Sequence, residues 1–582
     1  MPDGALQHAR LLQPGPLLAI VAVALFAGQV VYGVLPGLRL PAGDFANYYT
    51  AARVARSGED LAPAYTDMLW FQQRIDAAGF SGNEKLTVGV TGGTVRHKQH
   101  SLVDPLGDMF MGLTTEDAAS QVAPGMAKSW SVSADGLIWT FHLRDAVWSD
   151  GVPVTADDFV AGFRRLMDPE TLSEYASIQF GMKNAEAVYE KKLPPEALGI
   201  RALDPKTVEI TLENPQPYLP QLLKHYTAFP VPKHKVRQFG DNWVKPENIA
   251  VNGPFILKKW WSNYIVHLGR NHRFWDDANV EFEELYFYPG NDVNAAARRV
   301  MSHECGWSTR FPSNQVDQLR AALPGYVHIA PFLTCNYFSI NMLKPQFRDV
   351  RVRQALCMAY DRDFVASHIY KTGEKAAYSF VPPGIANYPG GPKYRWADMP
   401  IAQKREEAQR LLRAAGYGPN NPLRFEFSHR NTSDNPRVAV VAQWSWRQIA
   451  PWVIVELRGM EAQVQYANLR ARNYEVGDGS WVADFNDAKN YLFLFETRTG
   501  PQNYCNYSNP AYDQLVAATD TEADTTRRGE MMARAEQMIL DDAALCTSVF
   551  LNSTNLVHPD LTGYADNLED IHRARWFGIK NA

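Results

Sequence analysis

Apolar and polar positions follow different periods in different parts of this chain. Leu17 to Leu35 is an almost unbroken apolar run, interrupted by Gly28, Gln29 and Gly33. Its length is close to the ~20 residues a helix needs to cross a bilayer. A secretory signal has a shorter apolar region and a small-x-small cleavage site. Near Ala27-Gly28 the position that should be small holds Leu25 or Phe26. The run therefore reads as an uncleaved apolar anchor helix rather than a cleaved signal, and either way the bulk of the chain is expected to be exported. Further on, Leu86-Thr87-Val88-Gly89-Val90 and Trp139-Thr140-Phe141-His142-Leu143-Arg144 alternate with period two and predict strands. Asp150-Gly151 predicts a turn. Thr155, followed by Asp157 and Asp158, predicts a capped helix start that continues through Phe159, Phe163 and Leu166. In a later helix bearing Leu411 and Leu412, the charged group Lys404-Arg405-Glu406-Glu407 reads as the solvated side.

One stretch stands apart from this patterning. Gly479-Ser480-Trp481-Val482-Ala483-Asp484-Phe485-Asn486-Asp487 follows the strand-like Tyr474-Glu475-Val476 and leads into apolar Tyr491-Leu492-Phe493-Leu494-Phe495. Asp484 has no Lys or Arg within four residues on either side. Its carboxylate must be solvated, accept hydrogen bonds from the chain, or meet a cation from outside it. A local reading makes it the N-cap of the following helix.

Composition narrows the classes. A chain of 582 residues is too long for one core and predicts two or three domains. Hydrophobic content of 46%, charged content of 21% and a net charge of −5 describe an ordinary globular protein with no basic surplus for nucleic acid. The 15 Trp and 26 Tyr supply either an aromatic core or a cleft lined with rings. Cys305, Cys335, Cys357, Cys505 and Cys546 lack C-x-x-C spacing, which argues against a zinc module or a dense disulfide scaffold. No G-x-S-x-G elbow, Walker loop or H-E-x-x-H occurs. His97 and His100 lie in a Gly-rich stretch that reads as surface loop, and Ser480 has no neighbouring His to activate it. Neither enzymatic activity, a metal nor a cofactor is expected.

An ordered series of motifs carries a resemblance. W-T-F-H-L-R at 139–144 is followed by W-S-D-G-V-P-V-T-A-D-D-F at 148–159, R-R-L-M-D-P at 164–169 and Tyr175-Ala176-Ser177. Then come Gly199 to Asp204, Pro217-Tyr218, Val231-Pro232-Lys233, Asn252-Gly253-Pro254-Phe255 and Arg270-Asn271 with Phe274-Trp275-Asp276. Phe347 to Leu356, Asp361-Arg362, Asn431-Thr432-Ser433-Asp434 and S-W-V-A-D-F-N at 480–486 complete it. Over residues 85 to 580 the chain resembles the extracytoplasmic solute-binding proteins of peptide ABC transporters, in their large oligopeptide-binding branch (family 5). Residues 43–49 and 70–76 resemble instead the first extracytoplasmic loop of multi-span lipid-phosphate-sugar glycosyltransferases. With no second apolar run of comparable length, that piece suggests a fusion or remnant.

The family resemblance implies an α/β, two-lobed periplasmic binding protein fold (type II) with a small inserted domain, preceded here by the N-terminal apolar helix. The implied division is 1–82 anchor or signal and linker, 83–105 lobe I, 106–231 inserted domain, 232–333 lobe I, 334–551 lobe II and 552–582 lobe I. It implies binding of an extended oligopeptide and delivery to ABC permease subunits, in the periplasm or at the extracytoplasmic face of the inner membrane, held there through residues 17–35. A non-transporting scaffold or chaperone of the same fold is the alternative use. In the family, the Asp of the W-x-A-D motif meets the peptide's α-ammonium group, which falls on Asp484. Ser480, Trp481 and Val482 would offer a strand edge, with Phe485, Asn486 and Arg470 also at the ligand. Well-known members have Arg three residues before this Trp, assisting the peptide's C-terminus, whereas this chain has Asp478. A cysteine pair bridged in some relatives is broken by Val482, with Cys335 one position away. Segments near 101–113 and 301–307 are abbreviated against the family pattern.

Overall fold

The computed structural model describes residues 103–580 except 172, 174, 262–264 and 289–291. The apolar run 17–35, the glycosyltransferase-like piece, His97, His100 and the strand expected at 86–90 lie outside the described residues. Among the described residues no helix is long and apolar enough to cross a membrane.

Local signals act as the sequence suggests in the first half. The alternating run forms the strand Ile138–Leu143, the centre of a four-stranded antiparallel sheet with Ala127–Val132, Thr207–Thr211 and Ile200–Asp204. Asp150-Gly151 turns the chain, with Gly151 at φ +93, a conformation that suits glycine. Thr155 is the N-cap of the helix Ala156–Met167, and the Asp158 carboxylate accepts the Thr155 N–H at 2.8 Å. Phe159, Phe163 and Leu166 are fully buried on its inner face. A three-stranded sheet, Phe255–Trp261, Ile265–Arg270 and Glu284–Phe287, shares this core, which extends to Ala574 and Phe577 near the C-terminus.

A larger mixed sheet dominates the second half. Its strand order is Trp307–Thr309, Leu545–Val557, Val327–Ile340, Val476–Val482, Leu423–Arg430, Val453–Met460, and the short Lys375–Ala376 pairs with Leu545–Val557. Val327–Ile340 and Leu545–Val557 run antiparallel over most of their length, but the register shifts between Pro331 and Cys335. On one side of this irregularity Val327 and Leu556 pack with a small cluster from residues 297–326; on the other the strands enter the cores around Phe338 and Tyr337. Two long strands thus join separately cored parts of an α/β molecule.

Lys404 corrects one expectation. In the helix Ile401–Ala414 it is buried, not solvated, and its Nζ donates to the Tyr378 hydroxyl and the Ala397 carbonyl at 3.0 Å each. Its stem lies along apolar surface while the ammonium finds oxygen and ring partners, an outcome that charge patterning does not distinguish from exposure. All five cysteines are unbridged, four of them buried.

Two buried carboxyls give stability a pH dependence. Glu536, on the helix Thr525–Asp541, accepts the N–H groups of Phe380 and Val381 at 2.6 and 2.9 Å and the Tyr388 hydroxyl. Burial pushes its pKa up to about 7, against those hydrogen bonds. Burial likewise raises Asp108 to about 7, partly offset by Arg573. Between pH 4.5 and 7 the unfolded chain releases these protons while the folded chain keeps them, so stability falls as pH rises through that window. Glu536 alone contributes a fall of about 3 kcal/mol. Glu536→Gln should roughly halve the decline in melting temperature between pH 4.5 and 7; an unchanged slope would show that Glu536 is ionised throughout.

Candidate functional site

A cavity of about 1440 Å³ is lined by segments from both ends of the long strands, including Arg310, Thr334, Asn336, Tyr370, Arg430, Tyr466, Arg470, Ser480, Trp481 and Val482. The motif Gly479–Asp487 meets it at the end of a strand, through Ser480, Trp481 and Val482. Val476–Val482 pairs antiparallel with Ile340–Thr334 along its whole length, Ser480 opposite Asn336 and Val482 opposite Thr334. Its parallel ladder with Leu423–Arg430 covers only Val476 and Gly477. From Asp478 onward the two strands part, and Ser480 to Val482 reach the cavity wall.

The strand is held by buried side-chain bonds. Thr334 Oγ1 donates to the Trp481 carbonyl at 2.8 Å. The Asn490 amide oxygen accepts both Trp481 Nε1–H, at 2.9 Å, and the Asp484 N–H, at 3.1 Å. Fully buried Asn490 thereby fixes the ring and the turn that carries the carboxylate. The sequence alone gave no reason to select it.

Asp484 does not cap the following helix. That helix is Lys489–Leu492 with Ala488 at its N-cap position, and Asp487 Oδ1 accepts the Lys489 N–H at 2.9 Å. The chain needs the residues between for a turn, which moves the helix start past Asp484. The Asp484 side chain is 7% exposed and sits one layer behind the wall. It accepts the hydroxyl of Tyr175, a wall residue, and the Asn490 amide at 3.4 Å, with His225 Nε2 3.7 Å away. The carboxylate is thus met by hydrogen-bond donors from distant segments.

Placement of the other expected site residues divides. Ser480, Trp481, Val482 and Arg470 are on the cavity wall. Phe485 is not among the wall residues; its ring stacks on Tyr218, centroids 4.8 Å apart and planes within 7°, in the core of the first half. Asn486 accepts the Ala386 N–H and its own N–H donates to Gln221, each at 2.8 Å. Both therefore serve as anchors of the turn in this geometry.

Asp478, where the family resemblance leads to the expectation of Arg, holds an arginine from another strand. Arg430 donates Nε to Asp478 Oδ2 at 2.9 Å and Nη2 to Oδ1 at 2.8 Å, a bidentate pair, and Nη1 to the Tyr466 hydroxyl at 3.0 Å. Burial disfavours this guanidinium's charge, but Asp478 and Tyr466 more than compensate and hold its pKa above the usual value. Arg430 was not selectable from sequence, since it lies 48 residues from its partner.

The separately cored parts, the linking strands and the cavity between them define a two-lobed α/β solute-binding protein. The family described as "Bacterial extracellular solute-binding proteins, family 5 Middle" matches residues 121–503. The chain is 36% identical over 484 residues to the periplasmic oligopeptide-binding protein OppA of Salmonella typhimurium, covering 81% of this chain and 88% of that one. It is 34% identical over 472 residues to the periplasmic murein peptide-binding protein MppA of Escherichia coli, covering 80% and 87%. Haemophilus influenzae OppA in complex with RPPGFSPFR superposes with a TM-score of 0.78 at 29% identity, over 85% of this chain and 99% of that one. The chain belongs to family 5 of the bacterial extracellular solute-binding proteins.

Proposed function

We propose that the chain binds oligopeptides outside the cytoplasm and delivers them to an ABC-transporter permease for uptake. The observation that carries this reading is the segment Ser480–Val482, which leaves its parallel neighbour and runs along the cavity wall. An extended ligand can pair with such a segment through its backbone, while wet, loose side-chain pockets tolerate varied sequences. The names of the relatives, an oligopeptide binder and a murein peptide binder, agree with it. In this reading Asp484 receives the ligand's α-ammonium group, a charge-assisted contact roughly twice as strong as a neutral hydrogen bond. Ser480, Trp481 and Val482 provide the edge, Arg470 completes the wall, and Phe485 and Asn486 hold the turn.

The lobe boundaries we propose are those expected above, with closure about the register shift near 331–335 and ligand favouring the closed state. Attachment through residues 17–35 would keep the protein at the extracytoplasmic face of the inner membrane. Native mass spectrometry of the purified full chain, followed by sequencing of what denaturation releases, tests the reading. A series of short peptides is the expected result. A single non-peptide mass, or binding of unfolded proteins with no short peptides, would overturn it.

A further inference from the structure

Strand alternation and one helix bring two of the buried cysteines together. In the strand Leu545–Val557, Leu545 points into the core around Tyr337 and its neighbour Cys546 into the core around Phe338. The helix Val350–Ala359 packs on that second core and contributes Cys357 to it. Cys357 Sγ donates to the Leu545 carbonyl at 3.3 Å, which sets it beside Cys546 along the strand. The two thiols also share a side-chain hydrogen bond, and both residues are fully buried. We propose that Cys357 and Cys546 are a disulfide-forming pair, present here as thiols and oxidised outside the cytoplasm to a cross-link between helix and strand.

Arg362 holds the two segments together at this point and sets the charge of the pair. Its Nη2 donates to the Cys357 carbonyl at 2.9 Å and its Nε to the Thr547 carbonyl at 3.1 Å, which pins the last turn of the helix to the strand. The Tyr394 hydroxyl adds a second clamp, donating to the Leu545 carbonyl at 2.8 Å and accepting the Thr547 N–H at 3.2 Å. Segments 188 residues apart are thus fixed against each other before any covalent bond forms, as the narrow geometry of a disulfide requires. Arg362 is fully buried, with the rings of Tyr378 and Trp396 each 4.9 Å from its guanidinium carbon. It pairs with no carboxylate among the described residues, and its Nη2 lies 3.9 Å from Cys546 Sγ. Burial opposes a Cys546 thiolate, but the hydrogen bond from Cys357 and the Arg362 charge outweigh it, so its pKa lies below the usual thiol value. Burial and the neighbouring Cys546 push the Cys357 thiol well above that value. A thiolate beside a thiol is the arrangement from which disulfide exchange starts. The Cys546 thiolate attacks one sulfur of an oxidant disulfide and releases its other half as a thiolate, which takes a proton from water. Cys357 then attacks the Cys546 sulfur of the mixed disulfide, and its proton passes to the second departing thiolate. The two cysteines lose two electrons, and the oxidant disulfide takes them up to become two thiols. Because neither sulfur is exposed, the exchange takes place before this core closes or when the helix Val350–Ala359 opens.

The pair draws on the proposed location outside the cytoplasm only as the source of an oxidant, and its test involves no peptide, so it stands or falls apart from the proposed function. The purified full chain, reduced and then freed of reductant, is incubated with oxidised glutathione in native buffer and in urea below its unfolding transition. Remaining thiols are blocked with N-ethylmaleimide after denaturation, and a tryptic digest is analysed by mass spectrometry. The expected product joins peptide 354–362, which contains Cys357, to peptide 535–573, which contains Cys546. Cys305, Cys335 and Cys505 should stay outside the cross-link. In Cys357→Ala, Cys546 should retain glutathione as a mixed disulfide, and in Cys546→Ala, Cys357 should acquire it at least about tenfold more slowly. The conclusion is decided on the wild type, so it does not depend on either variant folding. Peptides 354–362 and 535–573 that stay unlinked both in native buffer and in urea, or that link to other cysteines instead, overturn the pair. Equal glutathione uptake by the two variants overturns Cys546 as the attacking sulfur.

Discussion

Asp484→Ala should weaken binding of peptides with a free amino terminus by about 2–5 kcal/mol. A carboxylate whose side chain is 7% exposed has lost most of its water, and in this structure the Tyr175 hydroxyl, the Asn490 amide and His225 surround it. An α-ammonium group arriving beside Tyr175 would meet this carboxylate in a site screened little by solvent. Removing the carboxylate leaves that ammonium buried without its partner, and the loss includes this penalty as well as the contact itself. N-acetylated peptides provide the control: they should bind the wild type weakly and lose little more in the variant. Calorimetry with matched free and acetylated peptides decides the matter. Equal losses for both would mean that Asp484 only supports the turn and that the ammonium is held elsewhere. Asp484→Asn keeps acceptor capacity for Tyr175 but removes charge, so a loss close to that of the alanine variant would locate the effect in electrostatics.

How much of this arrangement is legible in the sequence depends on the range of the interaction. The capped helix Ala156–Met167 is written locally, because Thr155 and Asp158 lie three residues apart and the apolar residues fall at helical spacing. The strand at the motif is legible from its neighbours, and the resemblance to the family supplies a partner for Asp484 as an expectation rather than a contact. What surrounds that carboxylate is not legible. Tyr175 reaches it from 309 residues away, and no local pattern marks a tyrosine for that task. The same holds for Arg430 and Asp478: nothing in the sequence around Asp478 shows that an arginine from the adjacent strand pairs with it. Lys404 shows the converse, a charge that local pattern assigns to solvent and that packing buries.

The turn that carries Asp484 is tied down by a buried ion pair, and Arg528→Met should destabilise the protein by about 3–5 kcal/mol. Arg528 donates Nη1 and Nη2 to the Asp487 oxygens at 2.7 and 2.9 Å and Nε to the Thr519 carbonyl at 3.1 Å. The two side chains are 4% and 5% exposed. Burial works against the Arg528 charge, and Asp487 raises its pKa above the usual value despite that. Methionine fills much of the same volume but leaves the Asp487 carboxylate buried without its countercharge. The double variant Arg528→Met with Asp487→Asn removes that stranded charge while keeping an acceptor for the Lys489 N–H, and should recover a large part of the loss. Denaturant unfolding of the wild type and the variants measures the difference, and a single variant as stable as the wild type would mean that water already reaches Asp487. The pair has a consequence for binding too. The Arg528 guanidinium lies 5.4 Å from the Tyr218 ring, and Tyr218 stacks on Phe485, the residue after Asp484. Loosening Arg528 therefore loosens the support of the proposed ammonium site, so Arg528→Met should lower affinity for free-amino peptides even under conditions where the protein remains folded.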